Sequence, residues 1–218
     1  MKYSKDLVIK GLLDFRKILL DDKHNDIYYI LRENYKSEAY YFKMDGLEFI
    51  TYGTNVQSLV KSDNFINHFE EEYDNEFSLD KENYTPYTNP DYEYRLLDSN
   101  DSILMDNFKA KCSDNDKDQG QVTLDDPIVI GAFDKEELIA VASIWEWAYD
   151  LNDIGVLVDP NYRRKKLGIS VVSKLINEVI NDKICIYRAD YENIGSVKIA
   201  NKLGFTPVTK IHRLKVLK

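Results

Sequence analysis

The stretch with the clearest chemical content runs from Val158 to Ser170, VDPNYRRKKLGIS. A strand ends, a basic turn follows, and a helix begins near Gly168, with Val172, Leu175, Ile176 and Val179 on one face. The first N–H groups of a helix have no intrahelical partner, and the helix dipole adds partial positive charge there. Such a terminus is a ready anion site. Arg163, Arg164, Lys165 and Lys166 surround it with cations, and Gly168 lets the backbone approach a bulky phosphate. Cations at a helix N-terminus are individually unfavourable. Four together therefore point to an anionic ligand rather than to a solvated charge run.

A second stretch, NIGSVKIANKLGF from Asn193 to Phe205, reads as a short capped helix. Asn193 is its N-cap, Ser196 the capping partner and Gly204 the C-cap. Asn193 is also free by position to touch a ligand lying over the helix start. Two carboxylates stand near the same strand, Asp153 and Glu146. Asp153 reads equally as an ordinary strand-end aspartate. Glu146 lies on the opposite strand face from its neighbours Trp145 and Trp147 and is expected to line a cleft.

The two stretches, 30 residues apart with a strand between them, together resemble the GNAT acetyltransferase superfamily. In that family a strand ending Val-x-Pro-x-x is followed by Arg/Gln-x-x-Gly-x-Gly/Ala and a helix. Val158, Pro160, Arg163 and Gly168 match, and Lys166 stands in place of the first glycine. The Asn-x-x-Ser/Ala helix ending in Gly-Phe matches at Asn193, Ser196, Gly204 and Phe205. The resemblance covers residues 92–218. It implies acetyl-CoA as acyl donor, no metal, and direct attack of a primary amine on the thioester. It further implies that backbone N–H groups of the strand ending Val156, Leu157, Val158 hold the oxyanion. The pyrophosphate would lie over Arg163, Arg164, Lys165, Lys166, Leu167, Gly168, Ile169 and Ser170, and the pantetheine arm beside Asn193 and Ser196. A carboxylate near the start of that strand often acts as general base. Asp153 matches that position, with Glu146 as the second candidate.

One departure bears on mechanism. Many family members place a tyrosine seven residues after the motif asparagine, as acid for the departing thiolate, and that position is Ala200 here. A thiol of pKa near 8.5 leaves as thiolate at pH 7 at a cost of about 2 kcal/mol, so solvent or Tyr191 is expected to supply the proton. Ala200 and Lys166 also favour an alternative, an acyl-CoA-binding sensor or scaffold without chemistry. A further alternative is an interaction protein whose N-terminal part does the work.

The elements that must position these residues form an α/β fold with a mixed, GNAT-like sheet at 91–218, preceded by a small α+β domain at 1–90. Helices are expected at 5–20, at 27–34 and from Phe65 to Tyr73, with a hairpin turn at Asp45-Gly46. The Pro- and turn-rich residues 74–91 are the expected boundary. Strands are expected at 92–97, in IVIGAF and LIAVASIW joined at Asp134-Lys135, in IGVLV, in KICIYRA and in TPVTKIHRLKVL. A helix is expected at 103–112, and a polar loop at 113–126. That loop falls short of a calcium loop, because its glycine is one place late and Asp125 stands where a bidentate Glu belongs.

Charge is unevenly spread. Residues 160–218 hold 13 basic and 4 acidic residues, and residues 1–159 hold 16 basic and 34 acidic. Repulsion from the acidic part argues against a long nucleic acid. It does not oppose a small phosphorylated ligand, and it suits a cationic acceptor, either a small molecule or a peptide amine. No apolar run approaches the roughly 18 residues needed to span a bilayer. Two cysteines imply no disulfide framework, so a cytoplasmic setting is expected. Homodimer formation is left open.

Overall fold

The computed structural model describes residues 23–24, 27–44, 46–62, 64–146 and 151–214; the helix expected at 5–20 lies outside them. Eleven strands among the described residues form one mixed sheet. They are β1 (Lys23–His24), β2 (Ile27–Leu31), β3 (Ala39–Met44), β4 (Leu47–Tyr52), β5 (Phe69–Leu79), β6 (Glu93–Leu96), β7 (Ile128–Asp134), β8 (Glu137–Glu146), β9 (Leu151–Val158), β10 (Ile184–Asp190) and β11 (Thr206–Leu214). Their spatial order is β1-β2-β4-β3-β11-β5-β10-β9-β8-β7-β6. The helices are α1 (Gln57–Val60), α2 (Ser102–Lys109), α3 (Asp114–Gly120), α4 (Leu167–Val179) and α5 (Ile194–Leu203). None among the described residues is long and apolar enough to cross a membrane.

The sheet crosses the boundary expected at residues 90–91. β5 lies N-terminal to it, yet it pairs antiparallel with both β10 and β11, Tyr187 opposite Phe77 and Pro207 opposite Phe77. β3 in turn pairs with β11. The helix expected from Phe65 to Tyr73 is only a 3-10 turn, Phe65–His68, before β5 begins. Helical spacing of four aromatic and aliphatic residues was outweighed by pairing on both strand edges and by burial of Phe77, Leu79 and Glu76. The helix expected at 27–34 is likewise mostly β2. There Tyr28 and Ile30 pack into one cluster, while Ile27 and Tyr29 pack into another, which is the alternation of a strand covered on both faces. The hairpin forms as expected, with Met44 opposite Leu47 and Gly46 at φ 81.

Residues 81–91 are not a linker. They form a strap across α4 and α5. Thr85 N donates to Leu203 O at 3.0 Å. Tyr84 OH donates to Ser173 O at 2.8 Å, and Tyr87 N to Ser173 Oγ at 2.9 Å. Asn89 N donates to Ser170 Oγ at 3.0 Å, and Asn89 Nδ2 to Lys165 O at 3.0 Å. Gly204 makes the close approach possible: its φ is 92, and a Cβ there would lie 1.9 Å from Asn83 O.

Two layers flank the sheet. α4 and α5 cover one face over Ala140, Ala142, Ile144, Cys185 and Tyr187. α2 covers the other, with Met105 and Phe108 on Val129, Val141 and Leu157. The expected polar loop at 113–126 contains α3. A capping box creates it: Ser113 Oγ accepts from Asp116 N and Asp116 Oδ2 accepts from Ser113 N, both at 3.1 Å.

Candidate active site

β9 and β10 run parallel for three residues only, Leu151–Asp153 against Ile184–Ile186. Beyond them β9 stays with β8 as far as Val158 opposite Ala140, while β10 stays with β5 as far as Asp190 opposite Asp74. The strands part and leave a cleft of about 1070 Å³, walled by β9, β10, α3, α5 and the N-terminus of α4. Asp159 N donates to Ile139 O at 2.9 Å, which fixes the hydrogen-bonding phase with β8. Antiparallel alternation then turns the N–H groups of Gly155 and Leu157 toward β8, and those of Val156 and Val158 into the gap. Of the three residues expected at the oxyanion, Leu157 thus contributes wall rather than amide. Gly155 has no side chain because α3 ends against it; a Cβ there would meet Gly120 O at 2.4 Å.

The basic turn is held in a strained shape. Arg164 and Lys166 have φ of 65 and 61, left-handed conformations that cost about 1–2 kcal/mol each for non-glycine residues. Lys166, standing in place of a glycine, is also the N-cap of α4. The buried Asp159 caps the preceding 3-10 turn through Asn161 N at 2.8 Å, and the strap holds the turn through Asn89. Strain of this kind gathers at functional sites and persists only where surroundings enforce it. Arg163 pairs with Asp116 of α3 at 2.7 Å. Among the described residues Arg164 and Lys166 have no ion-pair partner, and both line the cleft. Leu167, Gly168 and Ile169 line it too. Lys165 and Ser170 do not: Lys165 Nζ lies 4.2 Å over the Tyr162 ring, and Ser170 is buried beneath Asn89.

At the far wall, Asn193 Oδ1 accepts from Ser196 N at 3.1 Å, as expected of the N-cap. Its Nδ2 donates to Gln119 Oε1 of α3 at 2.9 Å. α3 therefore grips both stretches singled out in the sequence, Arg163 through Asp116 and Asn193 through Gln119.

None of the three expected proton-transfer residues lies on the cleft wall. Asp153 is buried, and its Oδ2 accepts from Arg188 Nε at 2.8 Å and from Nη2 at 2.5 Å. Burial pushes the Asp153 carboxyl up, against the pull of Arg188. On Arg188 burial works against the charge, but Asp153, with Glu76 and Asp74 behind it, outweighs that and raises its pKa. Buried, bound to Arg188 and off the cleft wall, this carboxylate has no direct contact with a substrate lying in the cleft. Glu146 pairs with Lys183 at 2.9 Å on the exposed side. Tyr191 OH donates to Glu192 Oε1 at 3.0 Å, and its ring leans on Tyr73. Tyr187, Arg188, Asp116 and Gln119 also line the wall, and no local motif marks them. Tyr187 reads as core from its place in an apolar strand, and α3 lies where a polar loop is expected.

A sequence model of the GNAT acetyltransferase family matches residues 128–212. No curated protein matches the chain. Among solved structures, an acetyltransferase of the GNAT family from Colwellia psychrerythraea is 11% identical with a TM-score of 0.55, covering 79% of this chain and 63% of that one. A GCN5-related N-acetyltransferase from Kribbella flavida is 14% identical at 0.51, covering 69% and 60%. This chain thus spans less than two thirds of the length of either. A functionally unknown conserved protein from Staphylococcus epidermidis is 12% identical at 0.54 and covers 92% of this chain and 96% of its own, so the N-terminal strands fall within a shared architecture. These likenesses concern the fold: residues 128–212, which resemble the GNAT acetyltransferase family in sequence, lie within an architecture that those structures share.

Proposed function

We propose that this chain transfers the acetyl group of acetyl-CoA to a primary amine by direct attack. The observation that carries the reading is the gap between β9 and β10, which opens beside a helix N-terminus where Arg164 and Lys166 have no counter-ion among the described residues. The diphosphate sits over the N–H groups of α4 beside Arg164 and Lys166. The pantetheine arm lies in the gap as an extra strand would, bonding to the inward amide of Val158. The thioester carbonyl reaches the point of divergence, where the inward N–H of Val156, the first beyond the parallel ladder, stabilises charge as it develops on oxygen. With Asp153 and Glu146 both in ion pairs, the amine is activated by solvent or by proximity rather than by a dedicated side-chain base.

The acceptor is a cationic small-molecule or peptide amine entering on the α3 side. Asp74, Asp118, Asp190 and Glu192 on the wall support this, tempered by Arg188 and Arg213. Attraction of this kind is screened, so KM should rise with salt. A thiol-release assay with acetyl-CoA against a panel of amines tests the reading. Turnover with cationic amines supports it; an anionic or uncharged best substrate removes the charge argument. A second reading, an acyl-CoA sensor without turnover, is favoured by the absence of Asp153, Glu146 and Tyr191 from the cleft wall. It predicts acetyl-CoA binding with no thiol release.

A further inference from the structure

Acetyl transfer leaves a thiolate that must gain a proton. Ala200 is buried and carries no acid, and Tyr191 is not on the cleft wall, its hydroxyl donated to Glu192. Two tyrosines line the cleft. Tyr162 is engaged, its hydroxyl 3.1 Å from Asp134 Oδ2 and 3.2 Å from Glu137 Oε2. Tyr187 is different. It is the first residue of β10 beyond the last pair with β9, so it stands where the strands part. Its ring packs against Phe205 at 5.6 Å and is 1% exposed. Its hydroxyl is sealed from solvent and has no hydrogen-bond partner.

A buried, unpartnered hydroxyl costs about 1–3 kcal/mol, and native proteins keep few without a reason. Ser196 of α5 also lines the cleft and is only half-buried. Its backbone N–H is taken by Asn193. Its hydroxyl lies near enough to draw the Tyr187 pKa down, though not in hydrogen-bonding geometry; burial is the larger influence and pushes that pKa up to about 12. The phenol therefore keeps its proton wherever an attacking amine is neutral. Both residues thus line the cleft, Ser196 half-buried and Tyr187 with its hydroxyl sealed from water.

Resting on the acetyl-transfer reading, we propose that Ser196 and Tyr187 form a relay that protonates the departing thiolate. The amine nitrogen bonds to the carbonyl carbon, the C–S bond breaks, and its electron pair stays on sulfur. Ser196 gives its proton to the sulfur and takes one from Tyr187. The nitrogen sheds its surplus proton to water, and water returns one through Ser196 to the Tyr187 phenolate before the next turnover. The net change is one proton moved from amine to thiol. Tyr187 acts through Ser196 and is a positioning and resupplying residue rather than a contact of the substrate.

The test is a double-mutant cycle of Tyr187→Phe and Ser196→Ala, read by kcat and by calorimetric affinity for acetyl-CoA. Tyr187→Phe removes only the hydroxyl. General-acid assistance is worth about 10²-fold or more, so each single variant should lose about that factor in kcat. The double variant should be no slower than either single, because one relay is broken once. Tyr187→Phe should bind acetyl-CoA within about twofold of wild type, and Ser196→Thr should recover most of the rate. Unchanged kcat in Tyr187→Phe, or losses that multiply in the double variant, overturns the relay. Should Tyr187→Phe fail to fold, Ser196→Ala and Ser196→Thr carry the test, and equal rates in those two overturn it. If the wild-type protein itself acetylates no amine, the acetyl-transfer reading falls and takes the relay with it; wild-type turnover with an indifferent Tyr187→Phe removes the relay alone.

Discussion

Asp153→Asn separates a structural carboxylate from a catalytic one. Asp153 Oδ2 receives two N–H bonds from Arg188, and the Asp153 side chain is 5% exposed. Removing one partner of a fully buried ion pair costs about 3–5 kcal/mol, chiefly because a charge is left behind. The Arg188 side chain is 37% exposed and lies near Glu76, so solvent and a second carboxylate partly compensate its charge. The loss should therefore be about 2–3 kcal/mol. For a chain of this size that lowers the melting temperature by roughly 4–12 °C. Urea and thermal unfolding of Asp153→Asn give the first number. The pH dependence of kcat/KM gives the second, and its ascending limb should stay where it is in wild type. A variant of undiminished stability whose ascending limb disappears would show Asp153 to be the base and refute the ion-pair account.

Gly204→Ala should cost about 2–3 kcal/mol, from the left-handed φ at about 1–2 plus a Cβ driven into Asn83 O and the weakened Thr85–Leu203 bond at about 1; urea unfolding checks this, and a loss under about 0.5 kcal/mol would contradict it. A fragment of residues 92–218 lacks β5 and exposes the facing edges of β10 and β11. Burial of Phe77 and Leu79 alone is worth about 2–3 kcal/mol each, so circular dichroism should show no cooperative melt, and a folded fragment would refute the single-sheet account. The Tyr187 pKa near 12 keeps the relay loaded, so kcat should hold its plateau to at least about pH 10.5, and a descending limb centred near pH 10 would contradict it. The same raised pKa has a stability consequence. Its contribution is fully present below pH 10 and is lost as pH rises from about 10 toward 12, where the folded chain binds the proton more tightly than the unfolded one.

The chemistry of the site was legible where local rules govern it. The caps at Asn193 and Gly204, the turn from Pro160 to Lys166 and the amphipathic face of α4 follow from residue types a few positions apart. The turn from Arg163 to Lys166 keeps its shape with Lys166 in a glycine's place, because the strap from Tyr84 to Asn89 fixes a conformation that the loop alone would disfavour. What depended on distant pairing was not legible. β5 carries four acids between Phe69 and Glu76 and looks like neither strand nor core, yet two-sided pairing makes it central. The turn formers at 81–91 suggested a linker because their partners, Ser170, Ser173 and Leu203, lie roughly 80–120 residues away. Asp153 lay at the position expected of a base, but only the register that places Arg188 beside it shows the pairing that occupies it.

The most direct test of the account is calorimetric titration of acetyl-CoA into the wild-type chain and into Arg164→Ala and Arg163→Ala. Among the described residues Arg164 has no counter-ion, whereas Arg163 shares its charge with Asp116 at 2.7 Å. The wild-type chain should bind. Arg164→Ala should weaken binding by about 1.5–3 kcal/mol, the range for hydrogen bonds to charged groups, and Arg163→Ala by less. Absence of acetyl-CoA binding at high protein concentration, or binding indifferent to Arg164, would contradict the placement of the diphosphate over this turn.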